Sequence, residues 1–327
     1  MTMLYSGAQA LLLGITLILS PLVGAVARAQ DNVTVGTVGS ASANLWPVFI
    51  GINKGFFAAE NIKLAVIFVQ SSANLVQQLA AGSLDITKST GLVDPIRAID
   101  QRAPLAIVRF EVQAPPYALL AKSNIKSLKE LKGKTISLGG PKDITKIFVE
   151  RMLAPHGVKP GEFDMVFAGA TSARASALQA GAVDAAILLP PFNFHATAAG
   201  FNDLGLTVDY APELPFSGTV VNRNWAAKNR ALLQRILAAH KKSVEWFYDT
   251  KNRAEAVTMM ATVSRIKTED VEKAYDFLHK GNFFERTGTI SRTKLNALVA
   301  ALQQLGDIPV SFDVERLVLP GVTQMSN

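Results

Sequence analysis

The chain carries the motif Leu79-Ala80-Ala81-Gly82-Ser83-Leu84-Asp85-Ile86 and repeats it in outline 99 positions later as Leu178-Gln179-Ala180-Gly181-Ala182-Val183-Asp184-Ala185. Each copy has the pattern of a helix end, a glycine at the helix C-cap, a tight turn and a strand that begins with Asp. At the same offset, each copy is preceded by a hydroxyl residue at a helix start, Ser72 in the first and Thr171 in the second. We interpret this echo as the mark of two lobes that share one construction.

Short apolar segments alternate with helical patterns around the first copy of the motif. Val33–Gly36, Leu64–Phe68 and Leu84–Thr87 have the pattern of strands, whereas Ala43–Phe57 and Ala73–Ala81 have the pattern of helices. Strands that alternate with helices are typical of an α/β fold with a mostly parallel, doubly wound sheet.

A second series of such segments begins near Pro115-Pro116 and ends near Pro215. It contains strand patterns at Tyr117–Ala121, Thr135–Leu138, Asp164–Phe167 and Ala185–Leu189, and helical patterns at Leu128–Lys132 and Asp143–Leu153. After a return segment at Pro215–Val221, helical patterns follow at Asn229–Asp249, Arg253–Val263, Thr268–Leu278 and Arg292–Leu305.

This order predicts a discontinuous first lobe and an inserted second lobe. Lobe 1 would comprise residues 30–115 plus 216–327, with the C-terminal helices, and lobe 2 would comprise residues 116–215. Two crossing segments would then join the lobes and act as a hinge.

The first 29 residues resemble an export signal. Leu11–Val26 is an apolar run, and Ala27-Arg28-Ala29 fits a small-x-small cleavage site, so we place the cut after Ala29 and the mature start at Gln30. A membrane anchor is the alternative, but the uninterrupted apolar run is short for a span and Arg28 lies at its end.

The chain has no cysteine, which excludes disulfides and attachment of a lipid to an N-terminal Cys. An exported protein without a lipid is best retained in a periplasm, which is where we expect this one.

Composition and charge restrict the function further. The 327 residues are 49% hydrophobic and 18% charged, which is typical of a globular chain. The net charge of +7 is scattered, with no run of five like charges, and this argues against nucleic-acid binding. We expect a monomer that needs no cofactor.

Four segments together resemble a known family. They are Gly51–Ile62, Gln78–Ile86, Leu128–Ile136 and Ala177–Ala186, and their order and spacing are similar to those of periplasmic binding proteins of the type II fold. Such proteins serve importers for sulfonates, nitrate, taurine and thiamine-pyrimidine precursors. The resemblance covers roughly Val33–Asp249. It implies a two-lobe receptor that closes on a small solute and delivers it to an ABC permease with its ATPase. The cysteine-rich motif of the fungal pyrimidine-synthesis relatives is absent, which argues against the enzyme that donates its own histidine.

Four loops that connect a strand to a helix have the chemistry of an anion site. In a doubly wound sheet, ligands bind outside the carboxyl ends of the strands, where helix N-termini present free N–H groups. The candidate ligand-binding residues in these loops are Ser40, Ser42, Asn44, Ser71, Ser72, Gly140, Asp143, Thr171 and Ser172. The alternative is that they are ordinary helix N-caps, which favour the same residue types.

Further candidates lie beside these loops. Ser89 and Thr90 follow the third strand, Ser217 and Thr219 lie at the return crossing, and the aromatic rings of Trp46 and Phe192 could contact a ligand or belong to the core. The cationic candidates are Lys88, Arg109, Lys142 and Arg174. Arg174 is preferred because it lies in the first turn of a helix beside Thr171 and Ser172, and a guanidinium can bind carboxylate or sulfonate with two N–H groups.

The sequence gives little support to catalysis or to a metal site. His156, His195, His240 and His279 are too widely spaced for a metal-ligand motif, and the glycine-rich phosphate loops and the nucleophile elbow are missing. Asp85 and Asp184 could act as paired carboxylates, but their matching positions favour a role in the turns. An enzyme on the same fold and a ligand sensor for a membrane kinase remain the alternatives to a transport receptor.

Overall fold

The computed structural model describes residues 1–2 and 29–326. The predicted export signal therefore falls almost entirely outside the described residues. The strands are β1 (Asp31–Val38), β2 (Ile62–Val69), β3 (Ile86–Gly91), β4 (Leu105–Val112), β5 (Ala118–Ala121), β6 (Thr135–Leu138), β7 (Asp164–Phe167), β8 (Ala185–Leu188), β9 (Asn202–Leu206), β10 (Ser217–Asn222), β11 (Thr289–Ser291) and β12 (Gln324–Ser326). The helices are α1 (Trp46–Asn53), α2 (Phe56–Ala59), α3 (Ser72–Ala80), α4 (Val93–Asp100), α5 (Ile144–Leu153), α6 (Thr171–Gln179), α7 (Phe192–Ala198), α8 (Arg223–Lys228), α9 (Arg230–Tyr248), α10 (Arg253–Ser264), α11 (Thr268–Lys280) and α12 (Arg292–Gln304).

Two five-stranded sheets form the centres of two lobes. The first sheet has the order β2-β1-β3-β10-β4, and the second has the order β7-β6-β8-β5-β9. In the first sheet β10 is antiparallel to both neighbours, and in the second β5 is antiparallel to both neighbours. Each sheet thus has four parallel strands and one reversed strand. This confirms the predicted α/β class with mostly parallel sheets. The two lobes have the same number of strands and the same position of the reversed strand in the sheet.

The echoed motif forms the same turn in both lobes. The Asp85 carboxylate accepts from the backbone N–H of Thr34 at 2.7 Å, and the Asp184 carboxylate accepts from that of Thr135 at 3.1 Å. Each Asp also donates its own N–H to the carbonyl of the same threonine. The preceding glycines, Gly82 and Gly181, have φ of +79° and +73°, which side chains disfavour. Asp85 and Asp184 are therefore turn residues, as their matching positions indicate.

Two segments connect the lobes. Residues 113–117 lead from β4 into β5, and residues 207–216 lead from β9 back to β10. The rings of Tyr117 and Phe216, one from each segment, pack edge to face with centroids 5.0 Å apart. Thr207 accepts a hydrogen bond from the backbone N–H of Tyr117. The chain thus passes from one lobe to the other and back through two segments that contact each other, as a two-segment hinge requires.

The C-terminal helices contact both lobes. Helix α9 packs on α1 and α2, and its Phe247 lies among Trp46, Tyr275 and Phe284, with ring centroids between 4.9 and 6.0 Å apart. Helix α11 contacts α7 of the second lobe. None of the helices within residues 29–326 is long and apolar enough to span a membrane.

Two predicted elements differ from the structure. The helix predicted at Ala43–Phe57 is divided into a 3-10 turn, α1 and α2, because Gly55 adopts φ of +71° between the two helices. The third strand was predicted at Leu84–Thr87 and lies at Ile86–Gly91, because the Asp85 turn occupies its predicted start.

Candidate functional site

The carboxyl ends of the two sheets face each other across a narrow cavity of about 40 Å³. Both lobes contribute to its wall, and so do the two crossing segments. Eight predicted ligand-binding residues line it: Ser42, Asn44, Ser71, Ser72, Ser89, Asp143, Thr171 and Arg174. The wall also includes residues that were not among those candidates: Val38, Gln70, Gly91, Tyr117, Gly139, Ile144, Gly169, Ala170, Leu189 and Phe216.

A wider outer mouth of about 510 Å³ adjoins the cavity. The two spaces share Gln70, Ser71, Asp143 and Gly169 among their lining residues. The mouth also contains Gly140, which is one of the predicted residues, together with Asp94, Lys142 and Phe167. A small head group would fit the inner cavity, and the mouth has room for the rest of a larger molecule.

The lobes touch each other around this cavity. A Cβ built on Gly169 of the second lobe would lie 2.3 Å from the carbonyl oxygen of Gln70 in the first, so no side chain fits there. The backbone N–H of Ala43 donates to the carbonyl of Pro190 at 2.8 Å. Arg97 of the first lobe donates to the carbonyl of Lys142 in the second. The structure therefore shows the closed arrangement of the two lobes.

Three helix N-termini end at the cavity wall. Helix α3 begins at Ser72 in the first lobe, and α5 and α6 begin at Ile144 and Thr171 in the second. Ser71 caps α3 by accepting from the backbone N–H of Asn74. The positive ends of three helix dipoles thus come from both lobes, and this arrangement favours negative charge in the cavity.

Arg174 is a cation fixed at this wall. Its side chain is buried, with 3% of the residue exposed, and its Nε donates to the carbonyl of Ile187 at 2.8 Å. Nη1 donates to the carbonyl of Gly169, and Nη2 donates to the hydroxyl of Thr171 at 2.8 Å. Because a guanidinium has five N–H groups, at most two are left for a guest. The ring of Tyr117 lies 5.7 Å from the guanidinium carbon.

Ser89 and Asn44 form a second polar part of the wall. The Ser89 hydroxyl donates to the carbonyl of Asn44 at 2.8 Å and lies 3.2 Å from the hydroxyl of Ser217. Ser89 has φ of +53°, which is uncommon for a residue with a side chain. Its backbone N–H donates to the carboxylate of Glu111 at 2.5 Å, and this bond holds the residue in that conformation.

A buried ionic cluster lies next to Ser89. Lys88 Nζ is 3.0 Å from Glu111 Oε1 and donates to the hydroxyl of Thr219, which in turn donates to Glu111. Burial lowers the pKa of Lys88 to about 8, although the Glu111 carboxylate acts in the opposite direction. Burial and the neighbouring cations also hold the pKa of His240 well below its usual value. The charge of Lys88 is thus compensated inside the protein.

We expect the stability of the protein to rise with pH between about 8 and about 10.5, the range from the folded to the unfolded pKa of Lys88. In that range the unfolded chain keeps the Lys88 proton and the folded protein releases it, so folding is favoured by up to about 1.4 kcal/mol per pH unit. Urea unfolding at several pH values measures this. The double variant Lys88→Met, Glu111→Gln should lack the rise, and an equal slope in both proteins would contradict the assignment.

The remaining predicted residues lie away from the cavity wall. Trp46 is part of the aromatic core around Phe247, and Phe192 packs on the apolar cluster of the second lobe. Ser40 and Ser172 are exposed, and Thr90 is buried. Thr219 bonds to Lys88 and Glu111, while Ser217 reaches the site through Ser89. Among the cationic candidates, Arg109 is buried against the backbone of Phe110 and Glu285, and Lys142 is exposed.

The four histidines lie outside the cavity wall. His156 bonds to Tyr210, His195 to Asp270, and His279 to the carbonyl of Tyr248. Residues 29–326 contain no group of three or more His, Asp or Glu side chains that could hold a metal ion.

Two α/β lobes that face each other across a polar cavity and are joined by two crossing segments define the type II periplasmic-binding-protein fold. The chain belongs to the NMT1/THI5-like family, whose model matches residues 42–254. No curated protein matches the chain.

Solved structures share the fold at low sequence identity. The alkanesulfonate-binding protein SsuA from Xanthomonas axonopodis pv. citri, bound to MOPS, superposes with a TM-score of 0.73 at 17% identity, over 92% of this chain and 100% of that one. The periplasmic nitrate-binding protein NrtA from Synechocystis PCC 6803 gives 0.70 at 14% identity, over 88% and 84%. The desulfurization enzyme DszB gives 0.66 at 13% identity, over 89% and 97%. The fold therefore occurs in both binding proteins and an enzyme, and the site must decide between them.

Proposed function

We propose that this protein is a periplasmic solute receptor that binds a small ligand with an anionic group between its lobes and delivers it to an ABC importer. The observation that carries the proposal is the convergence of three helix N-termini and Arg174 on one narrow cavity between the lobes. The names of the sulfonate- and nitrate-binding neighbours support an anionic ligand. We propose that the protein acts as a monomer, in which residues 30–115 plus 216–327 form lobe 1 and residues 116–215 form lobe 2.

Binding without catalysis fits the chemistry of the wall. The only ionisable side chains that line the inner cavity, within the described chain, are Asp143, Arg174 and the Tyr117 phenol. Burial raises the pKa of Tyr117 well above its usual value, so the phenol stays protonated. No histidine of the described chain lines the inner cavity as a general base. These residues therefore suit a site that orients a ligand without reacting with it.

Ligand-dependent closure would explain why donors come from both lobes. A guest that bonds to Arg174 and Thr171 on one side and to Ser71 and Asn44 on the other reaches both sets only when the lobes are closed. Such a ligand shifts the equilibrium towards the closed form by its difference in affinity for the two forms. The closed form would then be the one that the permease receives.

A thermal-shift screen of the mature protein tests the proposal. We expect at least one member of a panel of alkyl and aminoalkyl sulfonates, short carboxylates and nitrate to raise the melting temperature. A ligand at 100 times its Kd should stabilise the folded protein by about 2.7 kcal/mol. The corresponding primary amides and sulfonamides are the uncharged controls. The proposal fails if every anion leaves the melting temperature unchanged, or if the uncharged controls match the anions.

A further inference from the structure

A second pocket lies in the first lobe, apart from the cleft. It is an open space of about 530 Å³ against β4, between α9 and the two segments that lead into β11 and β12. Among the described residues, it shares none of its lining with the inner cavity or the outer mouth. Hydrogen bonds fix its walls, because the Thr323 hydroxyl donates to the carbonyl of Ile107 at 3.1 Å and Arg230 Nη2 donates to that of Gly321 at 2.7 Å. The pocket therefore does not depend on closure of the lobes.

Arg109, on β4, is the buried cation of this pocket. The residue is 1% exposed, its Nε donates to the carbonyl of Phe110 at 3.1 Å, and its Nη2 donates to the carbonyl of Glu285 at 2.9 Å. Nη1 forms no hydrogen bond within residues 29–326, and it is not among the polar atoms that are sealed in the core. Glycine at position 288 keeps a side chain away from this nitrogen, since a Cβ there would lie 3.4 Å from it. Nη1 thus offers two N–H donors to a guest.

The charge of Arg109 is compensated only in part inside the protein. Glu285 Oε2 lies 3.9 Å from Nη2, and the same carboxylate already accepts from the backbone N–H and the hydroxyl of Thr287 at 3.0 and 2.7 Å. The Glu111 carboxylate is shared with Lys88, which lies 3.0 Å from it. Burial lowers the pKa of Arg109, and the carboxylates of Glu111 and Glu285 act in the opposite direction without cancelling the effect. A guest with negative charge would supply further compensation.

The rest of the lining suits an anion with more than one charge. Lys241, on α9, adds an exposed cation whose ion pair with Glu245 is long, at 3.9 Å. The side-chain amides of Gln234 and Gln324 form no hydrogen bond to the described residues and can donate to a guest. In the described part of the chain, no Asp, Glu or His lines the pocket. The apolar part of the wall consists of Val108, Leu237, Ala238 and Val322.

We propose that this pocket is a second anion site, which binds a small oxyanion with two negative charges, a dicarboxylate or a phosphate, between the Arg109 guanidinium and the Lys241 ammonium. The site goes beyond the receptor function, because it is separate from the cleft. Arg109 is thus an anion-binding cation, as the sequence indicates, but of a different site. A bound anion stabilises the folded protein whether or not the cleft is occupied.

Isothermal titration with succinate and with inorganic phosphate tests the inference. We expect at least one of these dianions to bind about 10-fold or more tightly than butanoate, which has the carbon chain of succinate and a single carboxylate. Tighter binding of succinate would assign the site to dicarboxylates, and tighter binding of phosphate would assign it to phosphates. The affinity should persist in Arg174→Lys, which alters the cleft alone.

Three variants of α9 locate the bound anion. Ala238→Glu places a carboxylate in the pocket, Lys241→Gln removes its exposed cation, and each should weaken binding by about 10-fold or more. Lys242→Gln is the matched control, because Lys242 is the next residue on the helix, is equally exposed and pairs with Glu60 at 3.0 Å outside the pocket. We expect the control to bind like the wild-type protein. All three replace exposed side chains, and urea unfolding should show that each stays folded.

Three outcomes would overturn the second site. In the first, neither dianion binds the wild-type protein. In the second, Arg174→Lys abolishes binding and Ala238→Glu retains it, which would place the anion in the cleft. In the third, Lys241→Gln and Lys242→Gln weaken binding equally, which would show that the anion responds to the net charge of the surface rather than to the pocket. The first and third outcomes would leave the receptor proposal intact, and the second would support it.

Discussion

Replacement of Arg174 by lysine is expected to weaken ligand binding by about 100-fold or more while leaving the protein folded. Arginine binds Ile187, Gly169 and Thr171 through three N–H groups and still has donors for a guest. The lysine ammonium has three donors at one point and cannot reach these acceptors and a ligand together. Loss of two charge-assisted hydrogen bonds at about 1.5–3 kcal/mol each gives the expected change.

Titration with the anion that binds most tightly in the screen measures the affinity of Arg174→Lys. Unfolding in urea measures the stability of the same variant. Arg151→Lys is the matched control, because Arg151 lies in the last turn of α5, outside the cavity wall, and its ion pair with Glu213 is partly exposed. We expect the control to bind like the wild-type protein. Unchanged affinity in Arg174→Lys would show that the guanidinium supports the fold and does not contact the ligand. Arg174→Met would leave two buried carbonyls without donors, so it is a poorer test.

The sequence predicts those parts of the fold that depend on local chemistry. The echoed turns follow from a glycine that tolerates positive φ and an aspartate that accepts from a neighbouring strand. Arg174 could be selected as a candidate because its position in the first turn of a helix is visible in the sequence; its contact with a ligand stays a prediction. Asp143 was predicted to bind the ligand, and its N-cap of α5 is the alternative that the same residue types allow. In each case the interacting groups lie within a turn or at a strand end.

Other parts of the site depend on contacts between distant segments. Tyr117 and Phe216 reach the cavity because two crossing segments meet there, and no polar pattern marks them. The closeness of Gly169 to Gln70 depends on how the lobes meet. Lys88 has the appearance of a ligand-binding cation in the sequence, since it precedes Ser89 and Thr90 at the end of a strand. Its partner Glu111 lies on β4, and only the intervening strand β10 brings the two together.

That pair gives the largest effect on stability that we expect. Glu111→Gln should destabilise the folded protein by about 3–5 kcal/mol, because Lys88 is fully buried and would lose its counter-charge. The neutral amide would also be a weaker acceptor for the Thr219 hydroxyl and the Ser89 backbone N–H. The midpoint and slope of urea unfolding measure the change, and an unchanged slope shows that the effect is on stability.

A double variant separates the buried charge from other causes. Lys88→Met combined with Glu111→Gln removes both charges, and we expect it to recover most of the lost stability, because a buried pair replaced by neutral side chains costs much less than a broken pair. Glu245→Gln is the control; it removes an exposed carboxylate 3.9 Å from Lys241 and should change stability by about 0.5 kcal/mol or less. If the double variant is as unstable as Glu111→Gln alone, the cause is not the charge of Lys88. The loss would then come from the bonds of Glu111 to Ser89 and Thr219.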